Sequence, residues 1–383
     1  MGNKNKLRIA TVFSGIGAPE YALKRMGTPY ETVFACDIDK FCKASYFANY
    51  DITEQQWFDD IHSIDGSKYR DKVDLFVGGS PCQSFSIVGK RKGLEDPRGL
   101  LIYEFVRLVK EIRPKVFIYE NVKGLLNHGK SRTWKKIAAS LDKTGYTWYA
   151  GVLNAKDYGI PQNRSRLFVV GFREPRGFEF PPKLPLRVEM KDLLEDNIHP
   201  KYFLPEKGVR FVADPKNIKK RYTQINGKIA LCETANQQFN WHGDFIISNR
   251  DGVDGKYYLS DKVKRYVLSS GTKNFYSSPH TDLTIARPLL SSMHKMHRAG
   301  VDNYITDSLG IRKLTPRECL RLMGFDDRFR IVVSDTQTYR QAGNAMVVDV
   351  LINLLRSIDI ERYAGRRTGP KNRKNRRAKL SDY

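Results

Sequence analysis

Residues Leu7 to Gly27 read LRIATVFSGIGAPEYALKRMG. An apolar, β-branched run from Leu7 to Phe13 gives way to two glycines one residue apart, then to a stretch with amphipathic character. That order is strand, tight turn, helix. The alternation repeats through the first half: VFAC before KFCKASYFANY, VDLFV, LLIYEFVRLVKEI before VFIY, and TWKKIAASLDKTG before WYAGVL and LFVVGF. Leu101, Phe105, Leu108 and Ile112 fall at helical spacing, and Arg113-Pro114 stops that helix before the next strand. Continuous apolar strands separated by helices predict an α/β fold with a doubly wound, mostly parallel sheet covered on both faces.

Ligands of such a sheet collect at the carboxyl ends of its strands. The first strand ends in SGIG (Ser14 to Gly17), the second in Asp37, the third in GGSPCQ (Gly78 to Gln83), the fourth in Glu120-Asn121, and QNRSR (Gln162 to Arg166) stands near the last. From about Glu174 the pattern breaks into proline-rich, aromatic and Gly/Asn-rich pieces without helical period. Helical signals return at TPRECLRLMGF, with Thr315 as N-cap, Pro316 as first helical residue and Glu318 as the capping-box acid. The expected organisation is a first domain over 1–174, a smaller irregular β-rich domain over 175–335, a segment over 336–363 returning to the first, and a basic tail over 364–383 without fixed structure.

The formal charge is +24 over 383 residues. Residues 365–380 hold eight Lys or Arg and no acid, so without them the remainder still carries 24 − 8 = +16. A basic body points to a polyanion, because neutralised phosphates release counterions and association is steered electrostatically. The five cysteines (Cys36, Cys42, Cys82, Cys232, Cys319) are scattered, with no metal-ligand spacing, which fits a reducing compartment and no zinc. His294 and His297 lack a third ligand and read as polar surface residues. No apolar run reaches the ~18 residues needed to cross a bilayer, and no signal peptide is evident. The sequence predicts a cytoplasmic monomer, without metal or membrane partner.

Alone, Cys82 would be read as a small buried hydrophobe. Its setting changes that: it follows a strand end and a Gly-Gly pair and adjoins Lys90, Arg91 and Lys92, whose positive potential favours thiolate. No histidine lies in a comparable strand-end motif to serve as a protease base, whereas Glu120 and two arginines do. A thiolate, a carboxylic acid and guanidinium groups suit conjugate addition to an electron-poor ring such as a pyrimidine. Sulfur adds at C6, Glu120 offsets charge at N3, and C5 becomes nucleophilic.

That carbon needs an electrophile. FSGIGAPE has Glu20 where a dinucleotide fingerprint wants a small residue, so a pyrophosphate site is poorly supported. A glycine turn behind Phe13, with Asp37 able to accept from ribose hydroxyls, suits a nucleoside without phosphates. S-adenosylmethionine is one, and its sulfonium methyl is an electrophile.

PCQ followed by FS, together with YENV, QNRSR, RKLTPRECLRLMGF and QAGNA, makes the chain resemble the C5-cytosine DNA methyltransferases of bacterial and phage type over nearly its whole length. The resemblance implies an S-adenosylmethionine-dependent methyltransferase fold and methylation of a flipped cytosine in double-stranded DNA. It implies Cys82 as nucleophile, Glu120 as the acid at N3, and Arg164 and Arg166 as the arginines that hold the base and order the cysteine loop. Phe13, Gly15, Ile16 and Gly17 match the cofactor turn, Asp37 and Ile38 the ribose and adenine wall, Asp60 and Ile61 the adenine edge, and Pro81, Leu101 and Asn344 further cofactor contacts. Asp60 could instead cap a turn, and Asn344 could bridge elements structurally. Departures are Asp37 in place of the usual Glu, Ala18-Pro19-Glu20 in place of a Gly-rich continuation, and Met346-Val347 after GNA. A loop from Ser84 to Gly99 is expected to close on the base, and residues 174–312 to read base edges in the major groove. An RNA cytosine methyltransferase with the same catalytic set and a noncatalytic DNA-binding module are the alternatives.

Overall fold

The computed structural model describes residues 6–81, 97–129, 131–195, 202–204, 206–220, 222–231, 241–247, 283–287, 298–306 and 311–364. The chain divides into two units. One comprises Met1–Leu153, Ser165–Pro182 and Val350–Tyr383, the other Asn154–Arg164 and Lys183–Asp349.

The first unit is built on a seven-stranded sheet of β1 (Leu7–Val12), β2 (Tyr30–Cys36), β3 (Trp57–Phe58), β4 (Leu75–Gly78), β5 (Val116–Val122), β6 (Thr147–Asn154) and β7 (Ser165–Phe172), in the order β3-β2-β1-β4-β5-β7-β6. The β1–β2, β1–β4, β2–β3 and β4–β5 pairings are parallel. β7 runs antiparallel to β5. β1 lies between β2 and β4, so the winding reverses there, and the crevice at the carboxyl ends of β1, β2 and β4 is where a doubly wound sheet offers a site.

Four helices join these strands: α1 (Ala18–Met26), α2 (Lys40–Asn49), α3 (Pro97–Ile112) and α4 (Arg132–Asp142). α3 buries Ile102, Phe105, Val106, Leu108, Val109 and Ile112, and the Phe105 ring stacks on Phe76 of β4 with centroids 4.9 Å apart. Arg113 then takes a left-handed φ of 54° and Pro114 keeps the helix from continuing. At its other end the helix corrects one expectation. Gly99, placed by the sequence in a closing loop, belongs to α3, because Pro97 supplies a preset φ where a missing N–H costs nothing. The remainder of that loop, residues 84–96, lies outside the described residues.

The opposite edge of the sheet is closed by charge. Asp74, fully buried, accepts from Arg8 Nε at 3.1 Å and Nη2 at 2.8 Å, and from Lys115 Nζ at 2.8 Å, pinning the starts of β1, β4 and β5 together. Lys115 Nζ also donates to the Tyr363 carbonyl at 2.7 Å, and Arg176 Nη1 to that of Ile358 at 3.0 Å, so the segment from Ile358 to Tyr363 is held at this edge.

The second unit carries a six-stranded sheet of β8 (Phe203–Leu204), β9 (Thr223–Leu231), β10 (Trp241–Ile247), β11 (Leu283–Arg287), β12 (Arg298–Thr306) and β13 (Ile311–Lys313), ordered β11-β9-β10-β12-β13-β8. Two short helices, Glu206–Val212 and Pro215–Lys219, were not legible in the sequence, because a period needs about 11 residues to show. The helix Pro316–Leu322 opens as its motif dictates: Glu318 N–H donates to Thr315 Oγ1 at 3.2 Å and Thr315 N–H to Glu318 Oε2 at 2.8 Å. Leu320, Leu322 and Met323 are fully buried.

Candidate active site

The turn after β1 is held by its neighbours. Phe13, Gly15 and Gly17 all take positive φ, at 54°, 54° and 74°. For Phe13 this is a left-handed conformation that costs an L-residue about 1–2 kcal/mol, a strain that surrounding contacts must offset. Ser14 N–H donates to the Cys36 carbonyl at 2.9 Å, and Cys36 N–H donates to Ser14 Oγ at 3.0 Å. Gly15 N–H donates to Asp37 Oδ2 at 2.8 Å and Asp39 N–H to Oδ1 at 2.9 Å. Burial pushes the Asp37 carboxyl above its usual range while these two N–H bonds oppose the shift. Both oxygens retain lone pairs for hydroxyl donors.

Below the turn stands a group of buried tyrosines. Tyr50 Oη donates to the Ile16 and Gly17 carbonyls at 2.9 and 2.7 Å. Its ring explains one glycine, since a Cβ on Gly17 would stand 2.3 Å from Tyr50 Cε2. Gly15 differs: a Cβ there would meet nothing within 4 Å, so space is open above it. Glu20 is fully buried, with Oε1 accepting from Thr11 Oγ1 at 2.9 Å and Tyr46 Oη at 2.7 Å. Burial drives its carboxyl toward the neutral form.

Beside Asp37, the Ile38 side chain is 87% exposed, whereas most other large hydrophobics among the described residues are buried. Asp60 begins a short 3-10 turn, and its Oδ1 accepts from His62 N–H at 3.0 Å and lies 2.8 Å from His62 Nδ1. The capping reading of Asp60 is therefore realised, with Oδ2 left to other donors. Ile61 is buried in the core.

The ends of β4 and β5 carry the second group. Asn121, buried, donates from Nδ2 to Tyr119 Oη at 2.7 Å and to the carbonyl and hydroxyl of Ser80 at 3.3 Å each. Ser80 Oγ and Tyr119 Oη are 2.5 Å apart. This cluster fixes the backbone that enters exposed Pro81. Cys82 follows and lies outside the described residues. Next to the cluster, Arg166 Nε is 3.3 Å from Glu120 Oε1, both side chains being about 15% exposed.

Arg164 belongs to the second unit. It is buried, and its Nη2 donates to the Gly343 and Ala345 carbonyls at 2.9 Å each, tying down the end of the helix Asp335–Asn344. Asn344 is exposed at that end. Leu101 is partly buried against the α3 side of the first unit's core. Tyr46, Tyr50, Ser80 and Tyr119 were not read from the sequence. Tyr50 lies 33 residues from the carbonyl of Gly17, and no local pattern marks that distance.

Among the described residues no group of three or more His, Cys, Asp or Glu could hold a metal ion, and no helix is long and apolar enough to cross a membrane. Solved structures with the same architecture include the Entamoeba histolytica methyltransferase EhMeth (TM-score 0.59, 17% identity, 92% of this chain and 98% of that one) and the Schizosaccharomyces pombe Dnmt2 methyltransferase (TM-score 0.59, 20% identity, 92% and 98%). They show the shared fold. Among curated relatives, the orphan methyltransferase M.SPRI of Bacillus phage SPR is 30% identical over 92% of this chain and 97% of its own length. The type II methyltransferases M.Bsp6I of Bacillus sp. (strain RFL6) and M.HhaI of Haemophilus parahaemolyticus are 32% and 31% identical, over 92% and 90% of this chain and 98% and 92% of theirs. The family model for C-5 cytosine-specific DNA methylases matches residues 7–359. The chain belongs to that family, and is a methyltransferase of cytosine in DNA.

Proposed function

We propose that the protein methylates C5 of a cytosine turned out of duplex DNA, with S-adenosylmethionine as donor and Cys82 as the covalent nucleophile. The observation that carries this is the Glu120–Arg166 pair, set beside the Ser80–Tyr119–Asn121 cluster whose backbone leads into Cys82. S-adenosylmethionine supplies an electrophilic methyl group. The residues present fit it: open space over Gly15, an exposed Ile38 surface for a flat base, and Asp37 oxygens beside the turn for ribose hydroxyls.

The chain's own residues do the rest. The Cys82 thiolate adds to C6 of the base, forming a carbon–sulfur bond, while the Glu120 carboxyl supplies a proton at N3 and Arg166 holds Glu120 in place. The electron pair then resides at C5, which takes the methyl group. A base then takes the C5 proton, the C5–H electron pair re-forms the C5–C6 double bond and expels the thiolate, and N3 returns its proton to the Glu120 carboxylate. Because C5 cannot reach a thiol from within a stack, the base must leave the duplex, at a cost of a few kcal/mol offset in the pocket. Residues 174–312 read the target sequence, the protein acts as a monomer in the cytoplasm, and the basic residues after Tyr363 add salt-sensitive affinity.

The test is a trap. A mixed-sequence duplex in which cytosine is replaced by 5-fluorocytosine, incubated with protein and S-adenosylmethionine, should yield a denaturant-stable adduct that Cys82→Ser abolishes. Parallel incorporation of labelled methyl into duplex DNA and into structured RNA separates the RNA alternative, and bisulfite mapping of the DNA product gives the recognition site. Duplex binding without methyl transfer by a folded protein would leave only the noncatalytic module.

A further inference from the structure

From Asn121 to Leu141 the sequence holds five Lys or Arg and no acid. The segment begins one residue after Glu120. Val122 ends β5, Lys123 opens a short 3-10 turn, and α4 follows. Thr133, Trp134, Ile137 and Leu141 are buried, with Trp134, Ile137 and Leu141 in the same core as Leu125 of the turn, and His128 Nδ1 lies 2.8 Å from Thr133 Oγ1, so turn and helix are fixed to one another. The opposite face is left to Arg132, Lys135 and Lys136, all exposed, as is Lys123. At spacings of three and four residues the helical three share one face, about 5–6 Å apart.

Two features set this charge apart from the fold's own electrostatics. The first turn of a helix favours acids, which complement the dipole, yet α4 has none there and places cations instead, and its N-cap residue Ser131 makes no side-chain cap bond. None of the four cations has an acidic partner among the described residues. A cluster that violates local helix chemistry without compensation inside the protein is expected where an external partner supplies the missing charge.

We propose that Lys123, Arg132, Lys135 and Lys136 form a phosphate-gripping surface, through which the first unit holds the DNA backbone flanking the target cytosine. The proposal rests on the reading that the target base is engaged at Glu120. The surface grows out of the strand that carries Glu120, so contacts here fix the duplex close to the base without reading its sequence. Their contribution is electrostatic and follows counterion release, with log K falling by about 0.9 per log unit of salt for each phosphate neutralised.

The full-length triple variant Arg132→Ala, Lys135→Ala, Lys136→Ala tests this against a charge-matched triple at the opposite edge of the sheet, Lys68→Ala, Arg70→Ala, Lys72→Ala, whose residues are exposed just before β4. Binding to a 30-base-pair mixed-sequence duplex is followed by anisotropy across a salt series. The α4 triple should reduce the salt slope by about 2 to 3 and weaken low-salt binding at least tenfold, while the control changes the slope by less than about 1. Equal slopes for the α4 triple and the parent, or equal losses in both triples, would overturn the surface. Methyl transfer should stay within about twofold of the parent in the Lys68/Arg70/Lys72 control; a parent that binds duplex with this salt pattern but transfers no methyl would sink the proposed chemistry and leave the surface standing. Alanine is the better helix former, so thermal melts should not fall in the α4 triple.

Discussion

Arg166 reaches Glu120 diagonally across the antiparallel β5–β7 ladder. Its own partner in register is Val122, two residues further along β5 on the same face as Glu120, and the guanidinium Nε comes within 3.3 Å of Glu120 Oε1. The pair is thus set by strand register, and its members are 46 residues apart in the chain. Arg166→Ala should lower kcat for methyl transfer at least tenfold with the Km for S-adenosylmethionine unchanged, and Glu120→Gln, which cannot donate an acidic proton, should lower it by about 10²–10⁴. Steady-state kinetics on a duplex substrate decides; a change confined to Km for the methyl donor would place the pair elsewhere.

The Tyr50 hydroxyl donates to turn backbone. Tyr50→Phe keeps the ring against Gly17 and removes the hydroxyl's hydrogen bond shared between the Ile16 and Gly17 carbonyls, worth about 1 kcal/mol net. Titration calorimetry should show S-adenosylmethionine binding weakened about fivefold, with kcat held within twofold. Unchanged affinity would mean that the ring alone shapes the turn.

The two turn glycines should separate in their effects. Gly17→Ala adds a Cβ 2.3 Å from the Tyr50 ring at a φ of 74°, so its main loss is stability, seen as a lower melting temperature. Gly15→Ala meets open space at a φ of 54°, so its stability loss should be only about 1–2 kcal/mol. Its Cβ projects into the space assigned to the methyl donor, so donor affinity should fall by more than tenfold. The reverse ranking in melts and titrations would misplace the ligand.

Glu20 gives the fold an alkaline liability. Burial raises its pKa in the folded state above the unfolded value of about 4.5, so the folded protein holds this proton more tightly than the unfolded chain. The contribution is fully present below about pH 4.5 and is lost as pH rises toward the raised folded value. Glu20→Gln offers Thr11 and Tyr46 the same acceptor without a titrating group. Its melting temperature relative to the parent should therefore climb from pH 5 to pH 8; parallel melting curves across that range would show that Glu20 is not held neutral.

The sequence by itself determined the winding of the first unit and the motif residues at its strand ends, because both are written locally. Apolar runs with a period of two or none, helices with a period near 3.6, and Asp37, Glu120 and Arg166 beside turn signals all lie within windows of a few residues. The capping box at Thr315 and Glu318 was legible for the same reason. Tertiary structure alone decided which groups meet: Tyr50 under Gly17, Tyr119 with Ser80, Arg164 on the Gly343 and Ala345 carbonyls, Ile61 in the core and not at a surface. Those contacts follow from strand order, register and close packing, which join residues tens to hundreds of positions apart and leave no mark on the spacing of either partner.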